Sequence, residues 1–136
     1  MTVLEFEECL PCVPLDDGDV VYVCKVYDGD TCTLAWIDHR GKEVRLSCRI
    51  RDIDTPEMRS KSVEQRKLAV RAREKLAAAV LHQHVTIKNP SSDKYGRLLA
   101  DLVTDSKKSV AEYMLGFTDL CQPFPGGRRR ARGRFK

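Results

Sequence analysis

The sequence predicts a mainly β chain with helices (α+β), in which five strands close a Greek-key barrel beside one long and one short helix. Three observations predict it. Three segments rich in Val, Ile, Tyr and Thr follow one another with only tight turns between them. A single long amphipathic stretch comes next. Two more strand-like segments and a second helix-opening signal follow.

The elements run in that order. DVVYVCKVYDGDTCTLAWID reads as two strands, roughly residues 20–27 and 31–37, joined by the turn Asp28-Gly29-Asp30. His39-Arg40-Gly41-Lys42 makes a second turn, and EVRLSCRIRDI is a third strand with partial alternation. Ser62-Val63-Glu64-Gln65 is a capping box, whose hydroxyl and amide side chains satisfy two orphan backbone donors at a helix start. In the helix it opens, Leu68, Ala72, Leu76, Ala79 and Val80 share one face, a contact stripe that includes small residues. Residues 85–88 (VTIK) form a short strand and Asn89-Pro90-Ser91-Ser92 a loop. RLLADLVT, at 97–104, is a nearly continuous apolar strand, and Ser109 with Glu112 opens a brief helix that ends at Gly116. This β-β-β-α-β-β-α order is the plan of an OB-fold.

At 136 residues the chain suits one domain. No apolar run reaches the ~18 residues that span a bilayer. The opening MTVLEFEECLPC lacks a basic region followed by an apolar stretch, so the expected location is intracellular (cytoplasm, nucleus, nucleoid or virus particle), not secreted and not in a membrane. The six cysteines are then expected to be reduced, with Cys24, Cys32 and Cys48 acting as small hydrophobes in strands. Cys9 and Cys12 make a C-x-x-C without the second pair a zinc site needs. His39, His82 and His84 read as surface imidazoles. The net charge of +4 is unevenly spread: residues 1–24 hold six acids and no base, and the last nine residues, RRRARGRFK, hold six bases and no acid. Such a cationic arm, with Arg128, Arg129 and Arg130, suits contact with a polyanion by counterion release.

Three dispersed segments carry the chemistry: DGDT at 28–31, RIRDIDTPE at 49–57 and DKYGR at 93–97. Each alone reads as an ordinary turn or loop. Together, in this order on this strand pattern, they resemble the staphylococcal nuclease (thermonuclease) family, which pairs a DGDT turn with R-x4-D-T-P-E and a later D-x-Y-G-R. The likeness runs from about Val20 to Gly127. It implies an SNase-like domain over residues 19–125, between an acidic extension (1–18) and a basic tail (126–136). The implied activity is calcium-dependent hydrolysis of DNA and RNA phosphodiesters by in-line attack of water, leaving 3′-phosphate ends. A monomer is expected.

The resemblance assigns Asp30, Asp54 and the backbone carbonyl of Thr55 as calcium ligands, with Asp28 behind them orienting the turn. Oxygen donors are what a hard cation takes. Glu57 is implied as the general base, directed by the rigid Thr-Pro turn. Arg49 and Arg97 are implied as the catalytic guanidiniums, which suit the extra charge of a pentacoordinate phosphorus because a planar fork grips two oxygens at once. Lys94 and Tyr95 are candidate nucleotide contacts, Tyr95 by stacking, with packing as the alternative role.

Strand parity sets a condition. Arg49 and Asp54 are five residues apart, so a straight strand would point them to opposite faces. Both reach one phosphate only if the chain bends between 50 and 54, while Cys48 and Ile50 face the barrel interior. Arg45 and Arg51 read as exposed strand residues. The match thins after Gly116: relatives carry a tyrosine where the nearest aromatic here is Phe124, which stacks but donates no hydrogen bond. The arginine-rich tail replaces a third helix. The competing reading is a catalytically silent nucleic-acid-binding or scaffold module on the same fold.

Overall fold

The strands alternate buried and exposed residues, and the turns between them fix how they meet. In a computed structural model, which describes residues 13–124, β1 (Val20–Asp28), β2 (Thr31–Ile37) and β3 (Glu43–Ile50) form an antiparallel meander. After β4 (Ile53–Asp54) and α1 (Val63–Val80) come β5 (His84–Ser92) and β6 (Leu98–Val103), then α2 (Val110–Leu115) and β7 (Gln122–Pro123). The barrel closes in the order β1-β2-β3-β6-β5, with β5 returning to β1 and β6 running parallel to β3. It is the five-stranded, OB-type barrel with two helices that the sequence predicts.

Both serines cap their helices at the predicted positions, but the expected return bond from Gln65 is not made: Ser62 N donates to Ser60 Oγ at 3.1 Å instead. Ser62 Oγ accepts from the Gln65 amide at 3.2 Å, and Ser109 Oγ accepts from the Glu112 amide at 3.2 Å. The inner face of α1 is Ala69, Ala72, Leu76 and Val80, with Leu68 and Ala79 half-buried beside it; Ala69 is the one the periodicity missed. Val23, Leu34, Cys48, Ile50 and Ile87 fill the barrel, and Cys24, Cys32, Cys48 and Cys121 are free thiols.

Three expectations need correction. Asn89-Pro90-Ser91-Ser92 is the second half of β5 rather than a loop. The pairing with β6 skips between Lys88 and Ser91, and Asn89 takes a left-handed φ of 52°. That bulge lets the ladder accommodate Pro90, which has no N–H to donate. The third strand does not run on to 53: it stops at Ile50, and Asp52 at φ 69° turns the chain before β4 pairs with β7. Arg51 is not a solvated strand residue. Its Nε donates to Asn89 O at 2.7 Å and its Nη2 to Ser91 Oγ at 2.8 Å, tying the bend to the bulge.

Cys9, Cys12 and the arginines of the tail lie outside the described residues.

Candidate functional site

The Asp28–Thr31 turn, the Arg51–Asp52 bend and the first residues of β6 come together at one end of the barrel. Ile50 N donates to Asp30 O at 2.8 Å, which fastens the turn to the end of β3. Gly29 sits against Thr55 and α1. A Cβ at Gly29 would lie 2.7 Å from the Ala72 Cβ and 2.9 Å from the Thr55 Cβ and Cγ2, so only glycine lets the three segments approach this closely.

Asp30 and Asp54 are each 6% exposed, and Thr55 is 4% exposed. Arg49 bridges the aspartates. Its Nη1 lies 2.7 Å from Asp30 Oδ2, its Nη2 donates to Ile53 O at 3.1 Å, and the same Nη2 is 3.9 Å from Asp54 Oδ1. The bend at Asp52 is what brings residues of opposite strand parity to one place. Burial works against the Arg49 charge, but Asp30, then Asp54 and Asp28, outweigh it and hold the guanidinium above its usual range. The Phe124 ring covers it, with its centroid 5.2 Å from Arg49 Cζ, and Phe124 N donates to Asp52 O at 2.8 Å.

Asp28 stands behind this pair, its Oδ1 accepting from the Asp30 amide at 3.1 Å. Burial, then the negative charge of Asp30, pushes its carboxyl up to about 8. Cys121 completes the floor. Burial first, then the charge of Asp30, raises its thiol to about 12. A bland core cysteine gave no sequence signal of lying under the carboxylates.

Glu57 is exposed, and its carboxylate has no hydrogen bond or ion pair with the described residues; its backbone oxygen accepts from Ser60 N at 3.2 Å. Arg97 enters from the neighbouring strand: Leu98 faces Cys48 and Leu99 faces Arg49 in the parallel ladder. Its guanidinium pairs with Asp93 rather than with the buried aspartates, Nε to Oδ2 at 2.7 Å. Tyr95 is 73% exposed, with Lys94 Nζ 5.4 Å and Arg97 Cζ 5.8 Å from its ring centroid. The structure therefore gathers Asp28, Asp30, Arg49, Asp54, Thr55 and Phe124 in one cluster, and Lys94, Tyr95 and Arg97 in a hairpin beside it. Arg128, Arg129 and Arg130 lie outside the described residues.

Among the described residues there is no group of three or more His, Cys, Asp or Glu arranged to hold a metal. What the cluster offers is two buried carboxylates and neighbouring backbone oxygen. The hydroxyl of Thr55 is buried there without a partner. Oxygen-only donors and an excess of carboxylate over guanidinium fit a hard cation that keeps several ligands from water or substrate.

An OB-type barrel with an arginine–carboxylate centre at one end of its strands is thus the class of protein this chain represents. It belongs to the staphylococcal nuclease homologue family, whose model matches residues 47–117. It is also 38% identical to Protein ParB of Escherichia coli over 82 residues, 60% of this chain. The matched stretch is 38% of that protein's length. No described helix is long and apolar enough to cross a membrane.

Proposed function

We propose that the protein is a calcium-dependent, sugar-non-specific nuclease that hydrolyses DNA and RNA phosphodiesters and leaves 3′-phosphate ends. The observation that carries this reading is the buried Asp30–Arg49–Asp54 cluster, with Glu57 exposed three residues beyond Asp54 in the chain. Asp30, Asp54 and the Thr55 carbonyl would hold calcium, which when bound supplies Lewis-acid polarisation of a phosphate oxygen. Asp28 fixes the turn through the Asp30 amide. Glu57 accepts the proton of the attacking water.

Arg49 and Arg97 neutralise the equatorial oxygens. Ladder spacing supports this. Leu99 sits beside Arg49, and Arg97 lies two residues back on the same face, which places the two arginine Cα atoms about 8 Å apart, within joint reach of one phosphate. Tyr95 offers an exposed stacking face, and Lys94 and the tail arginines add phosphate contacts.

The test is incubation of supercoiled plasmid, single-stranded DNA and RNA with calcium or with chelator. Cleavage is expected only with calcium, and Glu57→Gln or Arg97→Ala is expected to slow it by roughly 10²–10³-fold. Undiminished cleavage by both variants would refute the assignment.

A second reading has two observations in its favour. Arg49 already neutralises Asp30, and no three-ligand metal group exists among the described residues. On that reading the domain binds nucleic acid without cutting it, and oligonucleotide binding with no cleavage under any divalent cation would establish it.

A further inference from the structure

The two arginines are held in different ways. Arg49 spends both terminal nitrogens on the protein, Nη1 on Asp30 and Nη2 on the Ile53 carbonyl. Arg97 spends only Nε. Among the described residues neither of its terminal nitrogens has a hydrogen-bond partner, and its side chain is about one third exposed. The partner of that Nε, Asp93, is itself immobilised. Its Oδ1 accepts from the Tyr95 amide at 2.8 Å and from the Arg97 amide at 2.9 Å. The turn is closed by Asp93 N donating to Arg97 O at 2.9 Å, with Gly96 at φ 84° supplying the left-handed corner.

The geometry points to Asp93 as a positioning residue: it clamps one edge of the Arg97 guanidinium so that the opposite edge, Nη1 with Nη2, faces outward as a ready fork for two oxygens of a phosphate. This deepens the nuclease reading and rests on it. A flexible arginine would have to fix several rotors when the substrate charge develops; a clamped one has fixed them in advance. Tyr95 supports the same orientation, because its ring lies 5.8 Å from the Arg97 Cζ and covers one face of the plane. Asp93 is suited to stay ionised while it does this. Burial alone would raise its carboxyl, but the Arg97 amide and guanidinium and the Tyr95 amide outweigh that and hold it below the usual carboxylate range. Nothing in the Asp-x-Tyr-Gly-Arg spacing alone separates this clamp from a simple turn-forming aspartate.

Asp93→Asn isolates the clamp. The amide oxygen still accepts from both backbone N–H groups, so the turn persists, but the NH2 now facing Arg97 Nε cannot accept. With calcium and single-stranded DNA, kcat should fall roughly 10- to 100-fold, the range expected for losing one charge-assisted hydrogen bond, while KM changes by less than about threefold. In an Arg97→Ala background the same substitution should cost nothing more. An equal loss in that background, or faster cleavage by Asp93→Asn, would overturn the proposal. In the first case Asp93 acts through the loop, and in the second it competes with phosphate.

A measurement that needs no cleavage separates this from the nuclease reading. In arginine-optimised 15N spectra without divalent cation, Arg97 Nε–H should be slowly exchanging in the wild type and lose that protection in Asp93→Asn. Inorganic phosphate should shift the Arg97 Nη signals at several-fold lower concentration in the wild type. An unprotected Nε–H, or identical phosphate titrations, overturns the clamp whether or not the protein cuts nucleic acid. A wild type that cleaves no polymer, yet gives both signatures, retains the clamp and loses the nuclease.

Discussion

Gly29→Ala is the substitution that most directly tests how the site is assembled. Gly29 does not occupy the left-handed region, so the cost is one of space and not of backbone angle. The added methyl would lie 2.7 Å from the Ala72 Cβ and 2.9 Å from two carbons of Thr55, against the ~3.5–4.0 Å at which carbons pack. None of those atoms is the tip of a flexible side chain. The Asp28–Thr31 turn, α1 and the backbone at Thr55 must therefore separate by most of an ångström. Overpacking of this kind costs about 1–3 kcal/mol. Urea denaturation followed by fluorescence of Trp36, the only tryptophan, reads it as a lower midpoint at unchanged slope. Ala72→Gly in the same chain removes the shortest contact. It costs about 1 kcal/mol on its own by helix propensity, so the expected signature is a double variant less destabilised than the sum by 0.5 kcal/mol or more. A Gly29→Ala protein as stable as the parent, or strictly additive variants, would refute the claim that this turn is wedged against α1.

Three further outcomes follow from the same geometry. Arg51→Ala should lower stability by about 1–3 kcal/mol, read from the urea midpoint, because Asn89 O and Ser91 Oγ both lose a charged donor. Asp93 contributes stability that is present above the unfolded carboxylate range and is lost as pH falls through its depressed folded value; Asp93→Asn should thus flatten the fall in thermal midpoint between pH 5 and pH 2, and an unchanged acid limb would count against its ion pair with Arg97. Calcium at a hundredfold excess over its dissociation constant should stabilise the protein by about 2.7 kcal/mol in a thermal scan, and Asp54→Asn should abolish that gain; an equal gain in the variant would move the cation elsewhere.

Much of the fold was legible because its signals are local. The turn at Asp28-Gly29-Asp30, the serines at 62 and 109 and the period of α1 each declare an element from neighbouring residues alone. What escaped was set by distant partners. Asn89–Ser92 carries loop residues, and only pairing with β6 and the grip of Arg51 keeps it in the ladder. The two-residue strands β4 and β7 have no signature of their own; each exists because the other is there. In the site, the residue types and the need for a bend between 50 and 54 were readable, since spacing and parity are properties of the chain. The bonds each group makes were not. The sequence does not announce that the Phe124 ring lies over Arg49 or that Asp93 pairs with Arg97.

The link between the two arginines lies in the one parallel pairing of the barrel. β3 and β6 are joined by no local turn, yet Cys48 faces Leu98 and Arg49 faces Leu99 across them. Cys48, Ile50, Leu98 and Ala100 are all buried, so the inward faces lock the register, and a slip of one residue would turn an apolar row outward. With that register fixed, Arg49 lies beside Leu99, two residues on from Arg97. The precision of the site thus comes from the core beneath it. A large-to-small change at Leu98, whose own side chain is buried in the core, should reduce activity by loosening the register as well as stability by leaving a cavity. Leu98→Ala that loses about 2–5 kcal/mol of stability, yet cleaves at the parental rate under conditions where it remains folded, would show that the arginines are placed by their own loops instead.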